Sequence, residues 1–360
     1  MRILSIGTDR KLFEEGSASR MRHEAYAKQL GALDVIVFAR GDGKSAHSGA
    51  LSVTPTNSFS RLLYGLDAFF LARTLPKPDA VTVQDPFETG FFGWLVARHF
   101  GVPLHVQVHT DFLSPEYARL SFLNHLRVWI AGFVLRHATG IRVVSNRIKE
   151  NIQEHYRLDV PITVLPIFVD VGRFRDTVFD AALGSRFRSF TMKVLVVSRL
   201  EREKNVQLAL SAFAASAPLG SCLIVAGTGN EEISFKHFAK RLNVAERVFF
   251  EGPRDVAPYY KLADVVLVPS RYEGYGLVII EALAAGKPVL STDVGIAREA
   301  GAIVTTEEGF ADALSEWFKN GPREGHLKSY PYKDFDEYAR AYCDDIVSCI
   351  EMKKRHTTAL

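Results

Sequence analysis

The sequence predicts an α/β protein of two doubly wound parallel-sheet domains in tandem, and three observations lead there. With 360 residues the chain exceeds what one hydrophobic core usually organises. Short apolar runs recur with helical stretches between them, as expected of parallel strands buried on both faces by crossover helices. The pattern breaks near 161–180, where Pro161 and Pro166 interrupt it and residues 172–184 carry no clean period.

The strand candidates of the first half are 3–6, 35–38, 80–83, 104–108 and 140–144. Those of the second half are 193–197, 222–226, 248–250, 265–268 and 288–291. The break divides the chain into a domain over 1–170 and one over 171–335. Helical signals resume beyond Tyr332, and 336–352 reads as an amphipathic helix with Tyr338, Ala341, Tyr342, Ile346 and Ile350 on one side. Residues 336–360 are expected to pack back on the first domain.

Composition narrows the class. Hydrophobic residues make up 47% and charged residues 24%, the balance of an ordinary globular protein, and a net charge of +3 is too small to imply nucleic acid. Cys222, Cys343 and Cys349 are odd in number and lack metal-ligand spacing, which fits a reducing cytoplasm better than a disulfide framework or a zinc site. The apolar stretch at Met1-Arg-Ile-Leu-Ser-Ile-Gly7 is too short for a signal peptide and reads as a first strand. No apolar run reaches the roughly 18–20 residues that span a bilayer, so any membrane contact is expected to be peripheral.

Chemistry concentrates in the second half. Val265-Val-Leu-Val-Pro-Ser270 ends a buried strand, Arg271-Tyr-Glu-Gly-Tyr-Gly276 turns the chain, and Leu277 opens a helix that Gly286 closes. Strand, glycine turn and helix form a phosphate-binding layout, because N–H groups at the helix start face the carboxyl end of the sheet with partial positive charge. Gly274 and Gly276 let the backbone come close. Glu273 and Glu281 bracket the turn as acceptors for sugar and ribose hydroxyls; alone, the pair reads as a loop charge and a solvated helix residue.

Upstream, the strand at 193–197 runs into Ser198-Arg-Leu-Glu-Arg-Glu-Lys-Asn205. Arg199 and Lys204 thereby reach a second carboxyl-end loop, where charge-assisted bonds to one diphosphate are worth about 1.5–3 kcal/mol each. Either residue alone reads as an exposed cation. Gly227-Thr-Gly229 adds a third glycine turn at the same edge, which any tight strand-to-helix turn would also favour.

The order Val197-Ser-Arg-Leu-Glu-Arg-Glu-Lys204, Val225-Ala-Gly-Thr-Gly229, Phe250-Glu-Gly-Pro253, Glu273-Gly-Tyr-Gly-Leu-Val-Ile-Ile-Glu281 and Ala282-Leu-Ala-Ala-Gly-Lys-Pro-Val289 resembles the retaining glycosyltransferases of family 4, the group 1 glycosyl transferases. The resemblance covers 193–295 closely and the first half more loosely. It implies the GT-B fold, two Rossmann-like domains facing a central cleft, with the acceptor side in the first and the nucleotide-sugar donor in the second.

By that resemblance Arg199 and Lys204 bind the donor diphosphate, Glu281 the ribose and Glu273 the transferred sugar. Gly274, Tyr275, Gly276 and Leu277 offer backbone amides to sugar and phosphate, Gly227 and Gly229 line the same edge, and the base lies near Gly252-Pro-Arg254. The donor is expected to be a UDP- or GDP-linked hexose, and the acceptor a hydroxyl on a glycan, a lipid-linked molecule or a small molecule. The resemblance further implies retention of configuration by front-face departure of the diphosphate, with no cofactor and no metal. A cytoplasmic protein of cell-envelope glycan biosynthesis, peripheral at the inner face of the membrane or free of it, is expected.

In the first half, Leu104-His-Val-Gln-Val108 leads into His109-Thr-Asp111. His109 matches the family's active-site histidine and is expected to contact the donor sugar rather than to act as a proton-transfer base. Gly16, Ser17 and Arg20, in the loop after the first strand, and Asp111 are expected on the acceptor side. Two departures stand out: Pro166-Ile-Phe-Val-Asp170 replaces the family's Asn-Gly pair, and the segment after Gly295 is shortened.

Residues 117–149 hold Arg119, Arg127, Arg136, Arg142, Arg147 and Lys149 with no Asp or Glu, interleaved with Phe122, Leu123, Leu126, Trp129, Ile130 and Phe133. The segment reads either as an interfacial helix meeting anionic lipid or as a helix whose apolar face packs on the first sheet while its arginines stay solvated. The competing functions are a nucleotide-sugar epimerase or hydrolase of the same architecture and a non-catalytic nucleotide-sugar-binding protein. A dinucleotide oxidoreductase is disfavoured because Gly7-Thr-Asp9 lacks the G-x-G-x-x-G spacing.

Overall fold

The computed structural model describes residues 1–358, with side chains as far as Arg355; residues 359–360 of the expected terminal segment lie outside the described ones. The chain divides into two compact units, 1–166 with 332–360, and 167–331.

The first unit is an eight-stranded sheet made of β1 (Arg2–Gly7), β2 (Ala32–Val37), β3 (Ala46–Ser48), β4 (Leu51–Pro55), β5 (Ala80–Val83), β6 (Leu104–Val108), β7 (Gly140–Val143) and β8 (Ile162–Val164). Its order is β3-β4-β2-β1-β5-β6-β7-β8, parallel throughout except for the β3–β4 hairpin at the edge. The second unit is a fully parallel six-stranded sheet of β9 (Met192–Val197), β10 (Ser221–Ala226), β11 (Val248–Gly252), β12 (Val265–Val268), β13 (Val289–Thr292) and β14 (Ile303–Thr305), in the order β11-β10-β9-β12-β13-β14. Both orders reverse direction beside the first strand of their sheet, between β1 and β5 and between β9 and β12. Such a switch point leaves a crevice at the carboxyl ends of the strands.

Burial explains why the apolar runs were legible. Every residue of β5, β6, β7, β10, β12 and β13 is buried. In the second unit Val194, Val196, Leu223, Val225, Val265 and Leu267 meet Leu210, Phe213, Phe310, Leu314 and Trp317 from the helices Val206–Ser216 and Phe310–Asn320. The strands missed in the sequence are the short edge pieces β3, β8 and β14, and β4 beside one of them. β3 and β14 offer no apolar run, β8 follows Pro161 at once, and β4 shows only an alternating, half-buried pattern.

The unit boundaries differ from the expected 170 and 335. Ile162–Val164 pairs in parallel with β7, so the broken pattern that begins at Pro161 still carries a strand of the first sheet. The Tyr332 hydroxyl donates to the Pro166 carbonyl at 3.0 Å, so the return of the chain to the first unit begins before the terminal helix. That helix, Phe335–Thr358, lies against the helix Ala18–Leu30 and β5–β7. Ala341 is half-buried, whereas Ala339, Cys343 and Cys349 complete the buried face.

Candidate functional site

At the switch point of the second sheet, the loop after β9 carries Arg199 and Lys204 and the loop after β12 carries Glu273. A backbone bond from Arg271 N–H to the Glu203 carbonyl, 2.9 Å, ties the two loops together. Across this seam Lys204 Nζ donates to Glu273 Oε1 at 2.6 Å, with both side chains about one-sixth exposed. The Ser270 hydroxyl donates to the same oxygen at 2.8 Å. Among the described residues nothing donates to Glu273 Oε2. Arg199 is 72% exposed and touches Glu203 at 3.1 Å, so its guanidinium keeps most of its donors for solvent or a ligand.

Glu281 lies in the helix Leu277–Ala284, which starts at the left-handed Gly276. The fully buried Tyr260 donates its hydroxyl to Glu281 Oε2 at 2.7 Å. Burial raises the Glu281 pKa, against the opposing pull of that bond and of Arg173. Among the described residues Oε1 accepts nothing. The solvated-helix reading of Glu281 is therefore replaced by a positioned, part-buried carboxylate.

Two glycines are required by packing. A Cβ on Gly227, at φ 139°, would meet the Ser198 carbonyl oxygen at 1.9 Å; a Cβ on Gly295, at φ 50°, would meet the Tyr275 carbonyl oxygen at 2.3 Å. Gly227 thus lets the turn with Gly229 close on the Arg199 loop, and Gly295 lets the loop after β13 support the Glu273 turn. Arg254 stands after β11, exposed, with Nε donating to the Glu251 carbonyl at 3.0 Å. Gly274, Tyr275, Gly276 and Leu277 form the turn leading from Glu273 into the helix.

The carboxyl edge of the first sheet is built differently. His109, directly after β6, places Nε2 3.2 Å from Gln107 Oε1. Arg142 Nη1 donates to that same oxygen at 2.9 Å, and a guanidinium has only donors, which fixes the amide orientation. His109 Nε2 must therefore carry the proton. Burial, with Arg142 and His105 adding to it, pushes the His109 pKa down to about 3. The ring is neutral, Nδ1 is an acceptor, and among the described residues nothing donates to it.

Behind His109 runs a buried polar network. Gln107 Nε2 donates to Thr82 Oγ1 at 3.2 Å and to the Tyr342 hydroxyl at 3.0 Å; Arg142 Nη2 donates to the Tyr338 hydroxyl at 3.0 Å. His105 joins Thr82 on one side and Asp345 on the other, both at 2.8 Å. Arg142 is 1% exposed and lies over the Tyr338 and Tyr342 rings, with its Nε unsatisfied. The expectation of solvated arginines fails for Arg142, because Arg142 stands opposite Gln107 in the β6–β7 register and faces the terminal helix. Arg127 keeps about a third of its side chain exposed and pairs with the half-exposed Glu88 at 2.9 Å.

The other residues expected in the first unit divide. Gly16, at φ 74°, and Ser17 shape the start of the helix Ala18–Leu30, where Ser17 Oγ accepts from Arg20 N–H at 3.1 Å. Arg20 is held by Glu24 at 3.2 Å. Asp111 accepts from Asn151 at 2.9 Å, and burial raises its pKa. Gln84, which the sequence reading missed, bridges the β1–β5 switch point by accepting from Thr8 N–H at 2.8 Å.

Comparison with known proteins agrees with both halves. The model for Glycosyltransferase Family 4 matches residues 24–173, and that for Glycosyl transferases group 1 matches residues 191–320. The chain belongs to the family 4 glycosyltransferases.

Among relatives of this family 4 member, the α-monoglucosyldiacylglycerol synthase of Streptococcus pneumoniae is 28% identical over 228 residues, 59% of this chain and 51% of the relative. The D-inositol 3-phosphate glycosyltransferase of Segniliparus rotundus is 32% identical over 222 residues, 58% and 49%. The chain spans about half the length of these curated relatives. Sucrose-phosphate synthase from Thermosynechococcus elongatus superposes with a TM-score of 0.74 at 17% identity, covering 100% of this chain and 99% of the other. Anabaena HepE in complex with UDP-glucose does so at 0.69 and 20%, covering 100% of both. At these identities the structures establish the shared GT-B fold, as two parallel-sheet α/β units.

The signals for what was missed lay inside the strands. His105 and Gln107 alternate on one face of an otherwise apolar run, and Arg142 interrupts another. A polar side chain in a fully buried strand requires a partner, but the partner helix is some two hundred residues away in sequence.

Proposed function

We propose that the chain is a retaining, metal-independent hexosyltransferase that moves a sugar from a UDP- or GDP-linked donor to a hydroxyl of a glycan, lipid-linked or small-molecule acceptor. The observation that carries the proposal is the Lys204–Glu273 contact at 2.6 Å across the second switch point, with Arg199 exposed beside it. A lysine ammonium has three donors, so its bond to Glu273 leaves two for a diphosphate. Glu281 offers Oε1 to the ribose, Glu273 offers Oε2 to the sugar hydroxyls, and neutral His109 offers Nδ1 as an acceptor.

In the proposed reaction the bond from the anomeric carbon to the diphosphate oxygen breaks. The acceptor oxygen bonds to the same face, and its proton passes to the departing phosphate oxygen. Arg199, Lys204 and the helix start after Gly276 stabilise the charge that develops on the leaving group. Neither glutamate attacks carbon. His109, neutral down to about pH 3, exchanges no proton in this step.

A thermal-shift screen of UDP- and GDP-sugars, followed by mass analysis with and without hydroxyl acceptors, tests this reading. Stabilisation by one donor class and acceptor-dependent product are expected. Epimerised or hydrolysed donor as the main product, or binding without turnover in the presence of a broad acceptor set, would overturn it.

A further inference from the structure

The first unit carries two exposed apolar stripes, on helices that both pack against a third, which the site does not use. On the segment 61–72, Leu62, Leu66 and Phe70 form an outward stripe at helical spacing, 90%, 46% and 59% exposed. On the helix Phe122–Arg136, Phe122, Leu126 and Trp129 form another, 90%, 48% and 71% exposed. The two flank the helix Glu88–Phe100, to which both pack. Ring contacts bridge all three: Phe69 lies 6.0 Å from His99, and Trp94 lies 4.8 Å edge-on to Phe133. The inward sides of the outer helices are already filled, by Ala68 and Ala72 in one and Ala131, Val134 and Leu135 in the other.

The charge on this face is one-sided. Arg61, Arg73, Arg98 and Arg136 are exposed, and the guanidiniums of Arg73, Arg98 and Arg136 lie over Phe69, Trp94 and Tyr156. The carboxylates on the same elements are Asp67 and Glu88, and Glu88 is paired with Arg127. A groove of about 560 Å³ is lined by Trp129, Phe133, Arg136, His137 and Tyr156. Among the described residues no helix is long and apolar enough to cross a membrane.

We propose that this three-helix face docks on the surface of an anionic lipid bilayer. Two apolar ridges with arginines held over aromatic rings suit the boundary between headgroups and acyl chains, where Trp and Phe settle and guanidiniums meet lipid phosphates. A patch this broad needs an apolar occupant. A second copy docked by a twofold axis would set the arginines against one another, whereas an anionic bilayer satisfies both the charge and the apolar area. Of the two readings of 117–149, the interfacial one supplies one ridge of two, and the second ridge lies outside the segment that the sequence singles out.

The inference stands apart from glycosyl transfer and is tested by flotation with vesicles of phosphatidylglycerol and phosphatidylcholine, or of phosphatidylcholine alone, at low and high salt. The protein is expected to float with anionic vesicles at low salt and to partition about tenfold less at high salt or without anionic lipid. Phe70→Ser and Trp129→Ser, both at exposed positions, should each reduce partitioning about tenfold with unchanged melting. Absent flotation, flotation indifferent to salt and lipid charge, or variants that float like the parent would overturn the proposal. So would a dimer in size-exclusion chromatography that either substitution dissociates. Flotation without sugar transfer would leave it standing and count against the proposed function instead.

Discussion

At the carboxyl edge of the second sheet the charges stand close to water: Arg199 is 72% exposed, and Lys204 and Glu273 meet at the rim of the switch point. At the carboxyl edge of the first sheet the strongest charge, Arg142, is 1% exposed and held by Gln107, Tyr338 and the Leu165 carbonyl. The first arrangement can trade its contacts for a ligand, because each group keeps donors or acceptors in reserve. The second cannot give up a partner without stranding a buried charge. A charged site in one unit and a neutral imidazole in the other are therefore two outcomes of one variable, the depth at which the cation sits.

The comparison can be broken most forcefully at Arg142. Arg142→Met leaves Gln107 Oε1 and the Leu165 carbonyl short of a donor, and a loss of roughly 3–5 kcal/mol is expected in urea unfolding. A loss below about 1 kcal/mol would show that the network does not carry the first unit. Next, Glu273→Ala is expected to lower transfer by roughly a hundred- to a thousandfold in a donor-turnover assay. Its melting temperature should fall by less than that of Arg142→Met, since Lys204, about one-sixth exposed, loses its carboxylate partner but keeps access to water. Near-normal turnover would remove Glu273 from the site.

A third test uses pH. Burial raises the Asp85 pKa to about 6, at the end of β5. A carboxyl raised above its unfolded value costs nothing when protonated below that value, and it destabilises as pH climbs through the folded one. Asp85→Asn should therefore gain about 1–3 kcal/mol near pH 8 and nothing near pH 4, measured by unfolding at both. An equal effect at the two pH values would contradict the burial of that charge. The smallest effect belongs to Arg199→Ala, for which about tenfold weaker nucleoside diphosphate binding is expected by calorimetry with no change in melting. A melting shift as large as that of Arg142→Met would erase the contrast between the two edges.

How much was legible followed from how local each determinant is. The switch-point loops of the second unit lie within a few residues of their strands, so Arg199, Lys204, Glu273 and Glu281 could be named from order and type alone. Ser270 and Tyr260, which orient the two carboxylates, were passed over because a serine at a strand end and a tyrosine in a short helix have many ordinary uses. In the first unit His109 was placed by resemblance, but its proton was not. The Nε2 tautomer follows from Gln107, whose orientation follows from Arg142, and that chain of bonds crosses from β6 to β7.

By itself the sequence determined two doubly wound domains, their buried parallel strands, and the polar residues at the carboxyl edge of the second sheet, because apolar periodicity and glycine turns act over a handful of neighbours. Tertiary structure decided that Lys204 meets Glu273 and that Glu281 is turned by Tyr260. It also buried Arg142 under Tyr338 and Tyr342, and left Phe70 and Trp129 exposed. Each of these joins residues distant in the chain, and their depth or exposure is set by what else packs there, a quantity that no local pattern contains.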